Sequence, residues 1–342
     1  MKSRDQLFCH TTAFLLAFGL VANQLLSGFA SIAFAQDQGG SGAIAPKKPD
    51  RWESQPHLTD VPVRSEERIY KSTPQGDLKL HLWSPKADGK DRPCIVFFFG
   101  GGWHSGTYRQ FARQSEYLAS RGMVAASAEY RIRKLHNTTP DVCVEDAKSA
   151  IRWVRAHAEE LGIDPAKVIA GGGSAGGHLA AASALVPGFD AEDDDLSISA
   201  IPNAMVLYNP GLNPSAKGRE ILDGQRKPIA KAISPNLFLH AKTPPAILFF
   251  GTADALAESG LEYLAKAKEL GLDVEPWWAA DQPHGFFNDS PWLEVTTLQL
   301  DRYLTRLGYL SGEPTITLPE NAPSLKQEAD EKHEGSAVST EQ

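Results

Sequence analysis

The sequence predicts an α/β fold with a mostly parallel central sheet and helices on both faces. Three observations carry this. Short uninterrupted apolar runs recur along the chain, CIVFFF at 94–99, MVAASA at 123–128, MVLY at 205–208 and AILFFG at 246–251, as expected of strands buried on both faces of a parallel sheet. Between them lie stretches of helical period: residues 142–160 put Val144, Ala147, Ile151 and Val154 on one face with charges opposite. Strand and helix then alternate to the end of the chain, the succession that builds parallel sheets.

Taken in order, residues 67–71 and 78–83 read as an edge hairpin. The second alternates Leu78, Leu80 and Leu82 with Lys79, His81 and Trp83, and 73–76 (TPQG) supplies the turn. The run 94–99 is the first buried strand, and it ends in Gly100-Gly101-Gly102-Trp103. A helix over 109–121, a strand over 123–128 and the helix over 142–160 follow. The short apolar run 168–170 is a third buried strand, passing through a glycine-rich turn at Ser174 into an alanine-rich helix. The acidic stretch 190–195 reads as a solvated loop, because a run of carboxylates does not converge as metal ligands must. Beyond the strand 205–208, residues 209–242 are proline-rich and irregular, with a helix expected over 215–222, and suit an insertion above the C-terminal edge of the sheet. The strand 246–251, helix 260–270, strand 274–278 and helix 291–307 complete the domain.

The chain ends have a different character. Residues 1–35 read as a cleavable signal peptide: Lys2 and Arg4 precede an apolar stretch over 11–26, and Ala33-Phe34-Ala35 supplies small residues for cleavage. Asn23 and Gln24 interrupt the apolar stretch, which makes it a poor lasting membrane span. Export is therefore expected, to the periplasm, cell surface or exterior. Residues 36–58 read as a flexible linker, 59–310 as one folded domain and 311–342 as a disordered polar tail. With 342 residues and 42% hydrophobic content, the chain can bury a substantial core. A net charge of -8 without a basic stripe argues against nucleic acid as a partner. Of the cysteines that outlast signal cleavage, Cys94 opens a strand and Cys143 begins a helix reached from the opposite end of the sheet. A strand of about five residues spans roughly 17 Å, beyond the reach of a disulfide, so both are expected to be unpaired and buried.

Chemistry gathers where a parallel sheet presents it, on loops at the C-terminal strand ends. Gly172-Gly173-Ser174-Ala175-Gly176 is a G-x-S-x-G placed between a strand and a helix, the setting in which a strained turn lifts a serine hydroxyl clear of the sheet. Asp254 lies a few residues beyond the strand 246–251, and His284 ends the loop after 274–278. A serine nucleophile needs a base and an acid to orient that base, and the order Ser174, Asp254, His284 is the one α/β-hydrolases use. Asp281 is a competing acid, three residues before His284, but Asp254 has the rigid strand-end position. The triple glycine after CIVFFF carries amides free of strand partners, and with the amide of Ala175 it makes an oxyanion hole.

With these pieces in place, the chain resembles the α/β-hydrolase esterases of the hormone-sensitive-lipase-like and feruloyl/acetyl (acetyl xylan) esterase groups over residues 67–307. The resemblance rests on FGGGW at 99–103, EYR at 129–131, DAKSAIRWVR at 146–155, GGSAGGHLA at 172–180, ISP at 233–235, GTAD at 251–254 and HGF at 284–286. It implies the α/β-hydrolase fold, with Ser174 as nucleophile, His284 as base, Asp254 as orienting acid, and the amides of Gly101, Gly102 and Ala175 as oxyanion donors. One departure stands out: Phe99 occupies the position where the family usually has histidine, which puts the hydrogen bonding of the glycine loop in question. His178 matches the family but reads as a packed, hydrogen-bonded histidine. Trp103 and His104 are candidates for lining the substrate pocket. Trp277, Trp278 and Trp292 read as core residues before sugar-stacking ones.

The expectation is thus an exported serine esterase acting through an acyl-enzyme, without metal or cofactor, on ester substrates. The resemblance together with export suggests acetyl or feruloyl groups on polysaccharide. A serine peptidase of the same fold and a non-catalytic binding protein on a hydrolase scaffold are the alternatives. An intact Ser-His-Asp set argues against the binder, and no large N-terminal propeller of the kind that restricts such enzymes to peptides is visible. Oligomeric state is open.

Overall fold

A computed structural model describes residues 51–216 and 220–328. The expected signal peptide, residues 36–50 of the expected linker and residues 329–342 of the expected tail lie outside the described residues. Eight strands form one sheet in the order β1-β2-β4-β3-β5-β6-β7-β8: β1 (Val63–Thr73), β2 (Gly76–Pro85), β3 (Arg92–Phe98), β4 (Val124–Ala128), β5 (Ile163–Gly173), β6 (Ala204–Tyr208), β7 (Ala246–Gly251) and β8 (Val274–Ala279). The hairpin β1-β2 sits at one edge, and β2 joins β4 antiparallel. Every pairing from β4 to β8 is parallel.

The helices are α1 (Ala112–Ser120), α2 (Arg133–His136), α3 (Pro140–Ala156), α4 (Ala158–Leu161), α5 (Ala175–Leu185), α6 (Ala257–Glu269) and α7 (Trp292–Arg306). They cover both faces, which explains the unbroken apolar runs. Val96, Phe98, Ala170, Leu207, Leu248 and Phe250 pack with α3, α5 and α6 through Val144, Ile151, Leu179 and Tyr263. Their strand neighbours Ile95, Phe97, Ile169, Val206, Ile247 and Phe249 pack with α1 and α7 through Tyr117, Leu118, Leu300 and Tyr303. Successive residues of a strand point to opposite faces, so the buried positions Cys94–Phe98 of β3 and all of β7 are non-polar on both faces. Burying each such side chain stabilises the fold by about 1.5–3 kcal/mol relative to leaving it exposed. Cys94 and Cys143 are both buried and unpaired.

Four local expectations need correction. The stretch expected to be a helix over 215–222 has a 3-10 turn at Ala216, residues 217–219 lie outside the described residues, and the helix does not extend to 222: Leu222 bridges Pro228, and Ile229 N donates to Ile221 O. A short turn closing on itself there buries Ile221 and Ile229 together, which a helix could not do. The acidic loop is not wholly solvated. Asp190 and Asp194 each receive the Arg152 guanidinium at 2.6 Å, pinning the loop to α3, while Glu192, Asp193 and Asp195 stay exposed.

The chain on either side of the expected domain also belongs to it. Before β1, Leu58 and Gln55 are buried, and Gln55 Nε2 donates to Asn288 O at 2.7 Å. After α7, Arg121 donates to the carbonyls of Ser311 and Gly312, and Thr315 N donates to Tyr117 Oη. Further on, Lys326 exchanges two backbone hydrogen bonds with Trp278, covering part of the outer edge of β8. These contacts run mostly through backbone groups, so they leave no hydrophobic period and the sequence reads as tail. Trp278 is buried and stacks on Phe250, and Trp292 packs edge-on to Phe286.

Candidate active site

Ser174 lies between β5 and α5 with φ 54° and ψ -115°, a backbone conformation that L-residues rarely adopt. Its neighbours explain how the turn is kept. A Cβ on Gly176 would stand 1.9 Å from Phe98 O, and one on Gly172 would stand 2.5 Å from the Gly176 carbonyl and 2.6 Å from Phe98 O. The two glycines therefore let the elbow press onto the end of β3. The serine backbone is then tied to β6 and beyond: Ser174 N donates to Tyr208 O at 2.9 Å, and Ser174 O accepts from Gly211 N and His178 N.

The structure brings together the three side chains singled out from the sequence. Ser174 Oγ is 2.8 Å from His284 Nε2, and His284 Nδ1 is 2.9 Å from Asp254 Oδ2. The Asp254 side chain is fully buried, and its Oδ1 accepts from Leu256 N at 2.8 Å. Its two oxygens are thus committed, one to holding the turn after β7 and one to holding the imidazole. That bond requires the proton on Nδ1 and leaves Nε2 to accept from the serine hydroxyl. Asp281, the competing acid, is exposed, and its amide donates to Thr252 Oγ1.

Facing Ser174 is the glycine loop. Gly101 and Gly102 have φ of 123° and 64°, and Gly101 O accepts from both His104 N and Ser105 N. A Cβ on Gly101 would stand 2.0 Å from Ser105 O, so the turn can close only with glycine there. The amides of Gly101, Gly102 and Ala175 have no hydrogen-bond partner among the described residues. First-turn amides of a helix, such as that of Ala175, have no acceptor within the helix. Phe99 is buried and stacks on Tyr130 with centroids 4.2 Å apart, while its carbonyl accepts from Tyr130 Oη. The glycine loop is instead gripped by Gln110, whose Oε1 accepts from Gly100 N at 2.6 Å.

Two cavities meet at Ser174. One, of about 270 Å³, is lined by Trp103, Ala175 and Leu256 on one side and by Asn213, Ser259 and Glu262 on another. The second, about 290 Å³, is bounded by the glycine loop, Gln110, Asn209, His284 and Asn288. Trp103 lines the first cavity. His104 lines neither; the tight turn onto Gly101 O leaves it on the exposed surface. His178 is buried. Its Nδ1 accepts from Trp103 Nε1 at 3.3 Å and its Nε2 is 2.7 Å from Ile233 O, to which it donates. Burial pushes its pKa down to about 4, which keeps the ring neutral and structural.

Sequence reasoning missed Gln110, Asn209, Asn288 and Gln55. Asn209 Oδ1 accepts from Gly285 N at 3.1 Å, next to His284. All four are side-chain amides; Asn209, directly after the strand 205–208, and Asn288, four residues past His284, carried a positional cue, and Gln110 and Gln55 carried none. Among the described residues no group of three or more His, Cys, Asp or Glu is arranged to hold a metal ion, and no helix is long and apolar enough to cross a membrane.

Comparison with known proteins agrees with this architecture. Esterase 2 of Thermogutta terrifontis, in its apo form, is 42% identical, with a TM-score of 0.68, over 73% of this chain and 97% of that one. The carboxylesterase NlhH of Mycobacterium tuberculosis is 26% identical over 258 residues, 66% of this chain and 76% of that protein. Esterase LipI of the same organism is 26% identical, over 73% of this chain and 84% of its own length. The fold is that of the α/β-hydrolases, and the activity common to these relatives is carboxylic ester hydrolysis. Since the BD-FAE family model matches residues 80–261, more than half of the sequence, the chain belongs to the BD-FAE family of carboxylic ester hydrolases.

Proposed function

We propose that this protein is an exported serine esterase that works through an acyl-enzyme. The observation that carries the reading is the continuous chain Ser174 Oγ, His284 Nε2, His284 Nδ1 and Asp254 Oδ2, at 2.8 and 2.9 Å, beside three unengaged amides. Ser174 Oγ attacks the ester carbonyl carbon while its proton passes to His284 Nε2. The carbonyl oxygen takes up the negative charge and is held by the amides of Gly101, Gly102 and Ala175. Asp254 steadies the imidazolium. Collapse breaks the C–O bond of the ester, and His284 returns the proton to the leaving alcohol. Water then attacks the acyl-serine by the same route and frees the acid and the serine.

The substrate we favour is a short acyl ester on a carbohydrate, acetyl before feruloyl. A first cavity of about 270 Å³ lies at the small end for organic ligands, and its mixed lining suits a small acyl group next to a hydroxylated alcohol. Thermogutta terrifontis esterase 2 has been described with propionate and with butyrate bound, acids of the same size class.

The test is hydrolysis of p-nitrophenyl acetate and butyrate, and acetate release from acetylated xylan, by the chain lacking residues 1–35 beside Ser174→Ala. Loss of roughly 10⁴-fold or more in kcat by the folded variant is expected. Equal activity of variant and wild type would overturn the nucleophile assignment. Hydrolysis of the small esters without acetate release from xylan would overturn the carbohydrate substrate alone.

A further inference from the structure

The glycine loop and the histidine loop leave the sheet at the ends of different strands, β3 and β8, with β5, β6 and β7 between them. Catalysis as proposed above requires their relative position to hold within a fraction of an ångström. Backbone hydrogen bonds between the two loops are absent among those of the described residues. What joins them is a pair of side-chain amides.

Gln110, in the 3-10 turn Tyr108–Phe111, accepts from Gly100 N through Oε1 at 2.6 Å and donates from Nε2 to Asn288 Oδ1 at 2.9 Å. Asn288, in the turn Phe286–Asn288, donates from Nδ2 to Gly285 O at 2.8 Å. Because Gly100 can only donate and the Gly285 carbonyl can only accept, the direction of every bond in the series is forced. Both side chains are buried, at 7% and 5% exposure, so each bond is shielded from water.

We propose that Gln110 and Asn288 form a positioning brace that sets the oxyanion amides of Gly101 and Gly102 against His284. The inference rests on the serine-esterase reading, and neither residue is a catalytic residue. The brace acts by fixing Gly100, immediately before the donors, and Gly285, immediately after the base. Its effect therefore falls on the transition state, where donors and base must act together, and leaves ground-state binding almost untouched.

Gln110→Glu is the discriminating variant, since it keeps shape and volume. Its carboxylate still accepts from Gly100 N but presents an acceptor to Asn288 Oδ1, whereas its protonated form regains the donor. His284 is the titratable side chain bordering the same cavity. Arg109 and Arg113, the charged groups nearest along the chain, pair with Glu53 and Glu116. The quantity compared is the variant's kcat divided by that of wild type at each pH. We expect kcat to fall by about 10 to 50-fold at pH 8, below the ~10²–10³ cost of losing an oxyanion donor outright, with KM within about twofold. The ratio should recover as pH falls. Gln110→Met and Asn288→Leu, singly and combined, should give a double variant much less impaired than the product of the single losses.

Ser174→Ala is run alongside. If it stays active, the serine-esterase reading fails. If it is dead while Gln110→Glu and Gln110→Met keep wild-type kcat, the brace is overturned and the reading stands. A pH-independent ratio for Gln110→Glu, or KM rising with kcat unchanged, would likewise reject the brace. Thermal unfolding of each variant at the assay pH separates these outcomes from loss of fold.

Discussion

Ser174 is held by the backbone packed around it, whereas Gly100, at the head of the glycine loop that faces it, is held by a series of side chains that reaches far along the chain. At the elbow, Gly172 and Gly176 bring the turn within van der Waals contact of β3, and the strained serine has nowhere else to go. At the glycine loop, Gly100 depends on Gln110, Gln110 on Asn288, and Asn288 O on Gln55 from before the first strand. Ser174 and Ala175 are fixed by local sterics, and Gly100, at the head of the glycine loop, by a long-range amide series. Local sterics fail abruptly when violated. A series of hydrogen bonds loosens by degrees.

The hardest way to break the comparison is at Gly176. Its alanine variant would place a Cβ 1.9 Å from a backbone oxygen of β3, and neither partner is a flexible side-chain tip. We expect Gly176→Ala to destabilise the fold by about 3 kcal/mol or more and to abolish esterase activity. Gly188→Ala is the control. That glycine has φ 71° with nothing within 4 Å of an added Cβ, so only the left-handed backbone penalises it, by about 1–2 kcal/mol. Thermal unfolding and kcat of both variants would check this; similar losses at the two sites would mean that the clash at the elbow is relieved by backbone movement.

The same contrast governs what can be read from sequence. The elbow was legible because its glycines stand at fixed offsets from Ser174, and Asp254 and His284 because each lies on a loop just beyond a strand. β3 and β7 were legible because both faces are buried. Gln110, Asn209 and Asn288 were not, since a buried amide between two loops looks in sequence like any surface glutamine or asparagine. The segments 51–58 and 311–328 read as linker and tail for a related reason: the first is held by isolated side chains such as Gln55 and Leu58, and the second by backbone groups that meet Arg121, Tyr117 and the edge of β8, and neither carries a period.

His178 sits where the two regimes meet, on the elbow helix but bonded to Trp103 of the glycine loop and to Ile233. Its folded pKa of about 4 lies below the ordinary 6.5 because burial disfavours the charged ring. The unfolded chain therefore binds a proton between those values that the folded chain does not. Its contribution to stability is complete above pH 6.5 and drains away as pH falls toward 4, by about 3 kcal/mol in all. Protonation would also convert Nδ1 from acceptor to donor and break the bond from Trp103. His178→Gln should lower the melting temperature at pH 7.5 through lost hydrogen bonds, yet lose less on going to pH 5 than wild type does. Parallel pH dependences in the two proteins would remove His178 from this account.

The finest distinction lies at the far end of the amide series, in the segment before β1. Arg51 and Gln55 both reach the turn that carries Asn288. Arg51 pairs with Asp289 at 2.6 Å, but both side chains are more than half exposed, at 55% and 63%. Such pairs contribute about 0–1 kcal/mol and are screened by salt. Gln55 is buried, and its Nε2 donates to Asn288 O at 2.7 Å while its Oε1 finds no partner among the described residues. Replacing it with leucine removes that unsatisfied acceptor but leaves Asn288 O without its donor, two opposing effects whose net change in stability should be about 1 kcal/mol. Asn288 then loses one of its anchors. Gln55→Leu should accordingly lower kcat about two to fivefold with little change in KM or melting temperature, and Arg51→Ala should leave all three as they are. Steady-state kinetics on p-nitrophenyl acetate decide the matter. If the charge deletion at position 51 costs as much as the buried amide, the turn is held by its surface, and the amide series ends at Asn288.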